Sequence, residues 1–250
     1  MAAVEQESKV VAIVQARMGS TRLPGKVLMD LAGQTILERV VERLRRVPAL
    51  SDIVIATTDS HRDDAIVAEC NGLAVQCFRG SEEDVLDRYY GAACSASAAV
   101  IVRVTSDCPL IDPDVTGGVI GEFLEKRPDY ASNFIERYYP RGLDTEVFSF
   151  DALQTAWREA TRSYERAHVT PYIFEHPGKF RLLSVPAQRD YSQHRWTVDT
   201  PEDLALVRAI YERLGNQGLF GWQDVLALVE AQPELSELNR DIAQKAVHLG

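Results

Sequence analysis

Four short runs rich in β-branched residues, VVAIVQ (10–15), DIVIAT (52–57), AVQCF (74–78) and VIVRVT (100–105), alternate with segments whose apolar residues recur at helical spacing. ILERVVERLRRV (36–47) and LALVRAIYERL (204–214) are the clearest of these helical segments. Such alternation predicts an α/β fold, a mostly parallel sheet with helices on both faces. Helix starts agree: Thr35 with Glu38, Ser60 with Asp63 and Ser81 with Asp84 each set a hydroxyl three residues before a carboxylate. Thr200-Pro201-Glu202-Asp203 reads as an N-cap, a proline at the first helical position and acids on the positive helix end. Between about 128 and 192 the alternation weakens. YASNFIERYYPRGLDTEVFSF reads as irregular chain plus a strand and YERAHVTPYIFEHP as a helix, so an inserted region over the sheet edge is expected there.

Length and charge narrow the class. With 250 residues and 46% hydrophobic content the chain can bury one large core, and a single domain over 1–250 is expected, with residues 1–9 a flexible tail. Against 37 acidic residues stand 27 basic ones, net charge −10, so no broad positive field is available for nucleic acid. MAAVEQESK lacks the basic-then-apolar build of a secretion signal, and no apolar run approaches the roughly 20 residues that span a bilayer. A soluble cytoplasmic protein with no membrane partner follows as an expectation. Cys70, Cys77, Cys94 and Cys108 show no CxxC pairing and no zinc spacing with histidine, and read as reduced, mostly buried thiols.

Candidate chemistry sits after the strands. QARMGSTRLPGK, Gln15 to Lys26, follows the first strand, where open α/β sheets bind ligands. Gly19 permits close backbone approach, Ser20 and Thr21 add donors, and Arg17, Arg22 and Lys26 add charge, which together suit a polyphosphate. It is neither a Walker A loop nor a GxGxxG turn: five residues separate Gly19 from Gly25, and Val27 stands where a magnesium-binding hydroxyl would be. RVTSDCPLIDPD follows the fourth strand and offers Asp107, either a turn aspartate or a ligand for a hard cation. Its Asp112-Pro113-Asp114 has a DxD spelling, but Asp112 reads better as the N-cap of a helix over 113–125. Cys108 has no histidine nearby in sequence and reads as packing. Asp199, expected to end a short strand just before the capped helix, either shares a cleft with Asp107 or helps the cap.

IVQARMGSTRLPGKVL, FRGSEEDVLDRYY, VRVTSDCPLIDP, ERAHVTPYI and RWTVDTPEDLALVRAIY, in this order from about Val10 to Leu214, resemble the cytidylyltransferase family of spore coat polysaccharide biosynthesis protein F. That group is similar to the CMP-KDO and CMP-sialic acid synthetases. The resemblance implies a Rossmann-like three-layer nucleotidyltransferase, usually a homodimer, that uses Mg²⁺ and CTP to transfer CMP onto a small-molecule acceptor with release of pyrophosphate. It puts Arg17 and Lys26 on the triphosphate, Arg22 near the nucleoside, Ala16, Gly19 and Ser20 along the nucleotide, and Asp107 and Asp199 on the metal. Two departures stand out. Gln15 replaces a usual proline, and RGSEEDVLDR is unlike the synthetases. For base recognition that segment offers Arg79 and Asp84, the latter reading slightly better as a helix cap. For the acceptor the region 128–192 offers Arg141, Asp144, Glu146 and His168, with Arg137 nearby and a dimerisation role also open. In RGLDTEVFSF strand alternation puts Asp144 and Glu146 on one face, as acceptor ligands or as a solvent-facing surface. Two rivals remain, a glycosyltransferase using Asp112 and Asp114, and a non-catalytic nucleotide-binding subunit.

Overall fold

The computed structural model describes residues 9–215 and 220–244. It begins with β1 (Val10–Gln15), a small hairpin of β2 (Asp30–Leu31) and β3 (Gln34–Thr35), and α1 (Ile36–Leu44). β4 (Asp52–Thr58), α2 (Asp64–Gly72), β5 (Gln76–Gly80), α3 (Val85–Ser95), β6 (Val100–Thr105) and α4 (Pro113–Lys126) then alternate as the pattern predicts. The remainder is β7 (Tyr130–Ser132), β8 (Glu146–Ser149), α5 (Phe150–Glu159), α6 (Ser163–His168), α7 (Pro171–Phe174), β9 (Leu182–Ser184), α8 (Pro201–Leu214), α9 (Trp222–Ala231) and α10 (Glu234–Glu237).

Seven strands form one sheet in the order β5-β4-β1-β6-β8-β7-β9. All run parallel except β8, which is antiparallel to both its neighbours. β1 is apolar from Val10 to Val14 because both its faces are covered. Val10, Ala12 and Val14 pack with Leu37, Val40 and Val41 of α1 and Ile120 of α4, while Val11 and Ile13 pack with Leu86 and Tyr89 of α3 and Leu153 of α5. This makes three layers. A third cluster around Trp196, Val198 and Leu204 fastens α8 and α9 beneath the β2–β3 hairpin. Residues 128–192 supply β7, β8 and β9 to the same sheet.

Local chemistry sets the boundaries. Thr35 Oγ1 accepts from the Glu38 N–H, and Thr200 and Asp203 form a reciprocal capping box. β5 starts two residues later than its apolar pattern suggests, because α2 ends with Ala74 at φ +49° and the Val75 N–H returned to the Cys70 carbonyl. The helix expected across YERAHVTPYIFEHP is split at Val169, whose φ of +73° and ψ of −58° close a γ-turn from the Thr170 N–H to the His168 carbonyl. Lys9, expected in the tail, is ordered against the sheet, its carbonyl accepting from the Ala99 and Val100 N–H groups; residues 1–8 of that tail lie outside the described residues. All four cysteines are free thiols: Cys70 and Cys108 are buried, Cys77 is half-buried and Cys94 is exposed. No helix among the described residues is long and apolar enough to cross a membrane.

Candidate active site

β1 and β6 stop in register, Gln15 opposite Thr105, so both segments leave the sheet at one edge, where the strand order reverses. After β1 the chain is pinned at once. The Met18 N–H donates to Asp63 Oδ1 at 2.8 Å, and the buried Asp63 carboxylate also accepts from Thr57 and Thr58. Gly25 then reverses the loop: its N–H meets the Met18 carbonyl at 3.0 Å and its φ is +70°, a conformation glycine adopts without a Cβ penalty. The turn drops Lys26 beneath the loop.

Lys26 is 9% exposed, and its ammonium donates to Asp107 Oδ2 (2.9 Å), Asp199 Oδ1 (2.8 Å) and the Val198 carbonyl (2.7 Å), using all three of its protons. The backbone joins the same segments through the Val198 N–H and the Asp107 carbonyl, 2.8 Å apart. On its other side Asp199 Oδ2 accepts from Arg22 and Arg195, each at 2.9 Å. Arg195 is held in turn by both oxygens of Asp203 in the first turn of α8. Burial alone would push the Asp107 carboxyl up, but the Lys26 charge and hydrogen bonds from Thr105, Lys26 and Cys108 outweigh it and hold it down at about 2. Burial would pull Lys26 down, yet the attraction of Asp107 and Asp199 raises it above its ordinary value. Two carboxylates converging on one point are donors that suit a hard divalent cation. Among the described residues no cluster of three or more acidic, histidine or cysteine side chains is placed to hold a metal, so the remaining ligands would be phosphate oxygens and water.

Above this triad opens a cleft of about 560 Å³. Arg17, Arg22, Lys26, Arg88, Arg103, Arg137 and Arg141 line it against Glu82, Glu83, Asp107, Asp144, Glu146 and Asp199. The balance is positive by one in a chain of net charge −10, so the cleft is locally suited to a polyanion.

Residues 11–235 match the family model described as Cytidylyltransferase. The chain belongs to the cytidylyltransferase family. It is 34% identical over 232 residues to the spore coat polysaccharide biosynthesis protein SpsF of Bacillus subtilis, covering 90% of this chain and 95% of that protein. The structure of a cytidylyltransferase from Leptospira borgpetersenii superposes with a TM-score of 0.89 at 32% identity, over 96% of this chain and all of the other. A CMP:2-keto-3-deoxy-manno-octonic acid synthetase solved with CTP shares the fold, with a TM-score of 0.64 at 21% identity over 83% of this chain and all of the other.

In this cytidylyltransferase family member the cleft gathers Ala16, Arg17, Ser20, Arg22, Lys26, Asp107 and Asp199 on one side and Arg141, Asp144, Glu146 and His168 on the other. Three expected nucleotide residues do not line it. Gly19 is not among the lining residues, and an added Cβ there would come within 3.2 Å of Glu82 Oε1. Arg79 is turned away by Asp64 (2.6 Å) and the carbonyls of Thr58 and Ser60. Asp84 caps α3 through the Asp87 N–H at 2.9 Å and is clasped by Arg166, so its capping role is the one realised. The acceptor-side carboxylates are not the open anionic face expected of them. Asp144 accepts both Nη groups of Arg137 (2.6 and 3.3 Å), and Glu146, buried in β8, is taken by Arg103 opposite it in β6 and by Tyr130 Oη at 2.8 Å. Arg141 lines the cleft with no hydrogen bond or ion pair to its side chain among the described residues.

Burial pushes the Cys108 thiol well up, which keeps it protonated and fits its packing role. Asp112 is 2% exposed and spends its oxygens on the backbone N–H groups of Asp114, Val115 and Trp222, so the DxD is a helix cap. Sequence reasoning passed over Arg88, Arg103 and Arg195. Arg103 had a signal, the lone charge in an apolar strand. Arg88 had one too, occupying a position on the apolar stripe of α3 with Val85, Tyr89 and Ala92.

Proposed function

We propose that this family member transfers CMP from CTP to an acceptor oxygen and releases pyrophosphate, with Asp107 and Asp199 holding Mg²⁺. The observation that carries the reading is the convergence of both carboxylates on Lys26 directly below the cation-bearing loop. Bound there, Mg²⁺ would neutralise charge on the phosphate oxygens at the reacting phosphorus. Lys26, Arg17 and Arg22 take the remaining negative charge of the triphosphate and of the departing pyrophosphate. Arg17 is suited to this, since it is about half exposed and among the described residues its one ion pair is with Glu82, at 3.8 Å. Such a transfer runs on alignment and charge neutralisation, so no strong base is needed beyond what the acceptor oxygen and water provide.

The acceptor enters from the Arg141 and His168 side. Because Arg137 cancels Asp144 and Arg103 cancels Glu146, the wall retains one uncompensated cation, Arg141, and suits a sugar acid or a phosphorylated or phosphonate acceptor. This reading includes a cytoplasmic homodimer acting in the synthesis of a surface polysaccharide or glycoconjugate, in line with the SpsF relative. The test is pyrophosphate release with each of the four nucleoside triphosphates against acidic sugars, amino sugars and phosphorylated acceptors. CTP with at least one anionic acceptor should turn over, and Asp107→Asn or Asp199→Asn should each cut turnover by roughly 100-fold or more. Metal-independent activity at the wild-type level would overturn the metal assignment.

A further inference from the structure

α6 stops at Val169, and the stop is strained. Val169 holds φ +73° and ψ −58°, a γ-turn of the rare hand and an outlier for a β-branched residue. Thr170 follows at φ −101° and ψ −10°, a region that the ring of the next residue, Pro171, disfavours. Surrounding contacts hold both residues there. The Val169 N–H reaches the Glu165 carbonyl at 3.1 Å, the Thr170 carbonyl accepts from the Ile173 and Phe174 N–H groups at 2.9 and 3.1 Å, and Val169 is buried in the apolar layer of α3 and α5. Backbone strain maintained in this way clusters where ligands are gripped. Its effect here is one of direction. In an unbroken helix the side chains at 168 and 170 would point about 200° apart. In this turn His168 and Thr170 both line the cleft, while Val169 between them is buried.

Thr170 is 2% exposed, yet its hydroxyl is not spent on the fold. A threonine before a proline at the first helical position ordinarily caps the helix, but Thr170 makes no side-chain cap bond to α7. Among the described residues no other group hydrogen-bonds its Oγ1, and that atom is not sealed from solvent. A hydroxyl so deeply placed without a partner costs stability unless a ligand supplies one. Pro171 and Phe174 line the cleft beside it, and Phe134 meets Phe174 edge to face at 6.2 Å. Apolar lining of this kind strengthens any hydrogen bond made against it. We infer that Thr170 is an acceptor-binding residue, its hydroxyl holding a neutral hydroxyl or amide group of the acceptor while Arg141 takes the anionic group. Residues 167–174 carry no lysine or arginine, so the group met there is neutral, and a threonine hydroxyl can both donate to it and accept from it. The acceptor class narrows to an acid that also bears hydroxyl or amide groups, such as a sugar acid or a sugar phosphate. This deepens the transfer reading and rests on it.

The test takes KDO, N-acetylneuraminic acid and glucosamine 6-phosphate as acceptors with CTP and measures pyrophosphate release by the wild type, Thr170→Val and Thr170→Ser. Each protein is also titrated with CTP by calorimetry and unfolded with denaturant. Thr170→Val keeps the shape and removes the hydroxyl. It should raise the KM of every acceptor the wild type uses by roughly 10-fold, leave CTP affinity within about twofold, and leave the denaturation midpoint unchanged or higher, since the lost hydroxyl had no partner in the fold. Thr170→Ser returns the hydroxyl and should bring KM to within about threefold of the wild type. An unchanged acceptor KM in Thr170→Val overturns the inference, as does an equal loss of CTP affinity or a lowered midpoint. A wild type that releases no pyrophosphate with any of the three acceptors counts instead against the transfer reading, and the inference falls with it.

Discussion

Lys26 spends its protons on two carboxylates and a carbonyl, so a triphosphate bound there would have to compete with those groups for it. The competition favours nucleotides with charge at the β and γ positions. Lys26→Ala is therefore expected to weaken CTP by roughly 100-fold and CMP only a few-fold in the presence of Mg²⁺, read by calorimetry. Equal losses would mean that Lys26 only supports the carboxylates. Glu146 has a different fate from the one its sequence position suggests. With Arg103 and Tyr130 on its two oxygens it is a counter-ion inside the sheet, and Glu146→Gln leaves a buried guanidinium short of its charge. The expected result is a stability loss of about 3 kcal/mol, measured by denaturant titration, with acceptor KM changed less than by Arg141→Gln. Arg141→Gln should raise the KM of an anionic acceptor by roughly 10-fold or more with CTP affinity unchanged.

At the scale of elements, the loop after β1 is held by two pins, Asp63 on Met18 and the positive φ of Gly25. Gly25→Ala adds a methyl 3.2 Å from the Met18 Cε, which can move, and strains a backbone that cannot relax without moving Lys26. A stability loss of about 1–2 kcal/mol is expected, with kcat/KM for CTP falling while acceptor KM stays constant. An unaltered CTP profile would show that the loop can hold Lys26 without this turn. The same distinction between local and distant causes explains what the chain makes legible. The caps at Thr35, Asp112 and Thr200 and the limits of β1 and β6 were legible because each is decided within a few residues. β7 and β9 were hidden because three-residue strands exist only through partners elsewhere in the chain. Arg79 and Asp84 misled because their charges settle on Asp64 and Arg166, and Arg166 lies 82 positions from Asp84. Asp107 was readable as a residue just past β6, whereas the short strand expected to end at Asp199 is only the isolated bridge of Arg195 with Arg141, and the meeting of the two acids on one lysine is a property of the assembled fold.

For the whole molecule, the Lys26 cage ties the end of β6, the segment before α8 and the loop after β1 into one electrostatic unit, and its titration is a measurable part of global stability. Asp107 is held at about 2, below the 3.8 of an ordinary aspartate, so its contribution is complete above about pH 4 and is lost as pH falls through 2. The shift corresponds to about 2 kcal/mol. Lys26 is raised, so its share is complete below 10.5 and is lost only as pH rises beyond that value. Between these limits the cage adds a constant amount. Lys26→Met removes the main force holding Asp107 down and leaves burial, which acts the other way. In that variant the folded carboxyl should titrate above the unfolded one, so that ionising it costs stability instead of adding it. Denaturant midpoints should therefore rise from pH 2 to 4 in the wild type and then level, whereas those of Lys26→Met should fall between pH 4 and 7 once the carboxyls common to both proteins are subtracted. Parallel curves for the two proteins would show that Thr105, Cys108 and the arginines around Asp199 hold the acids without the lysine.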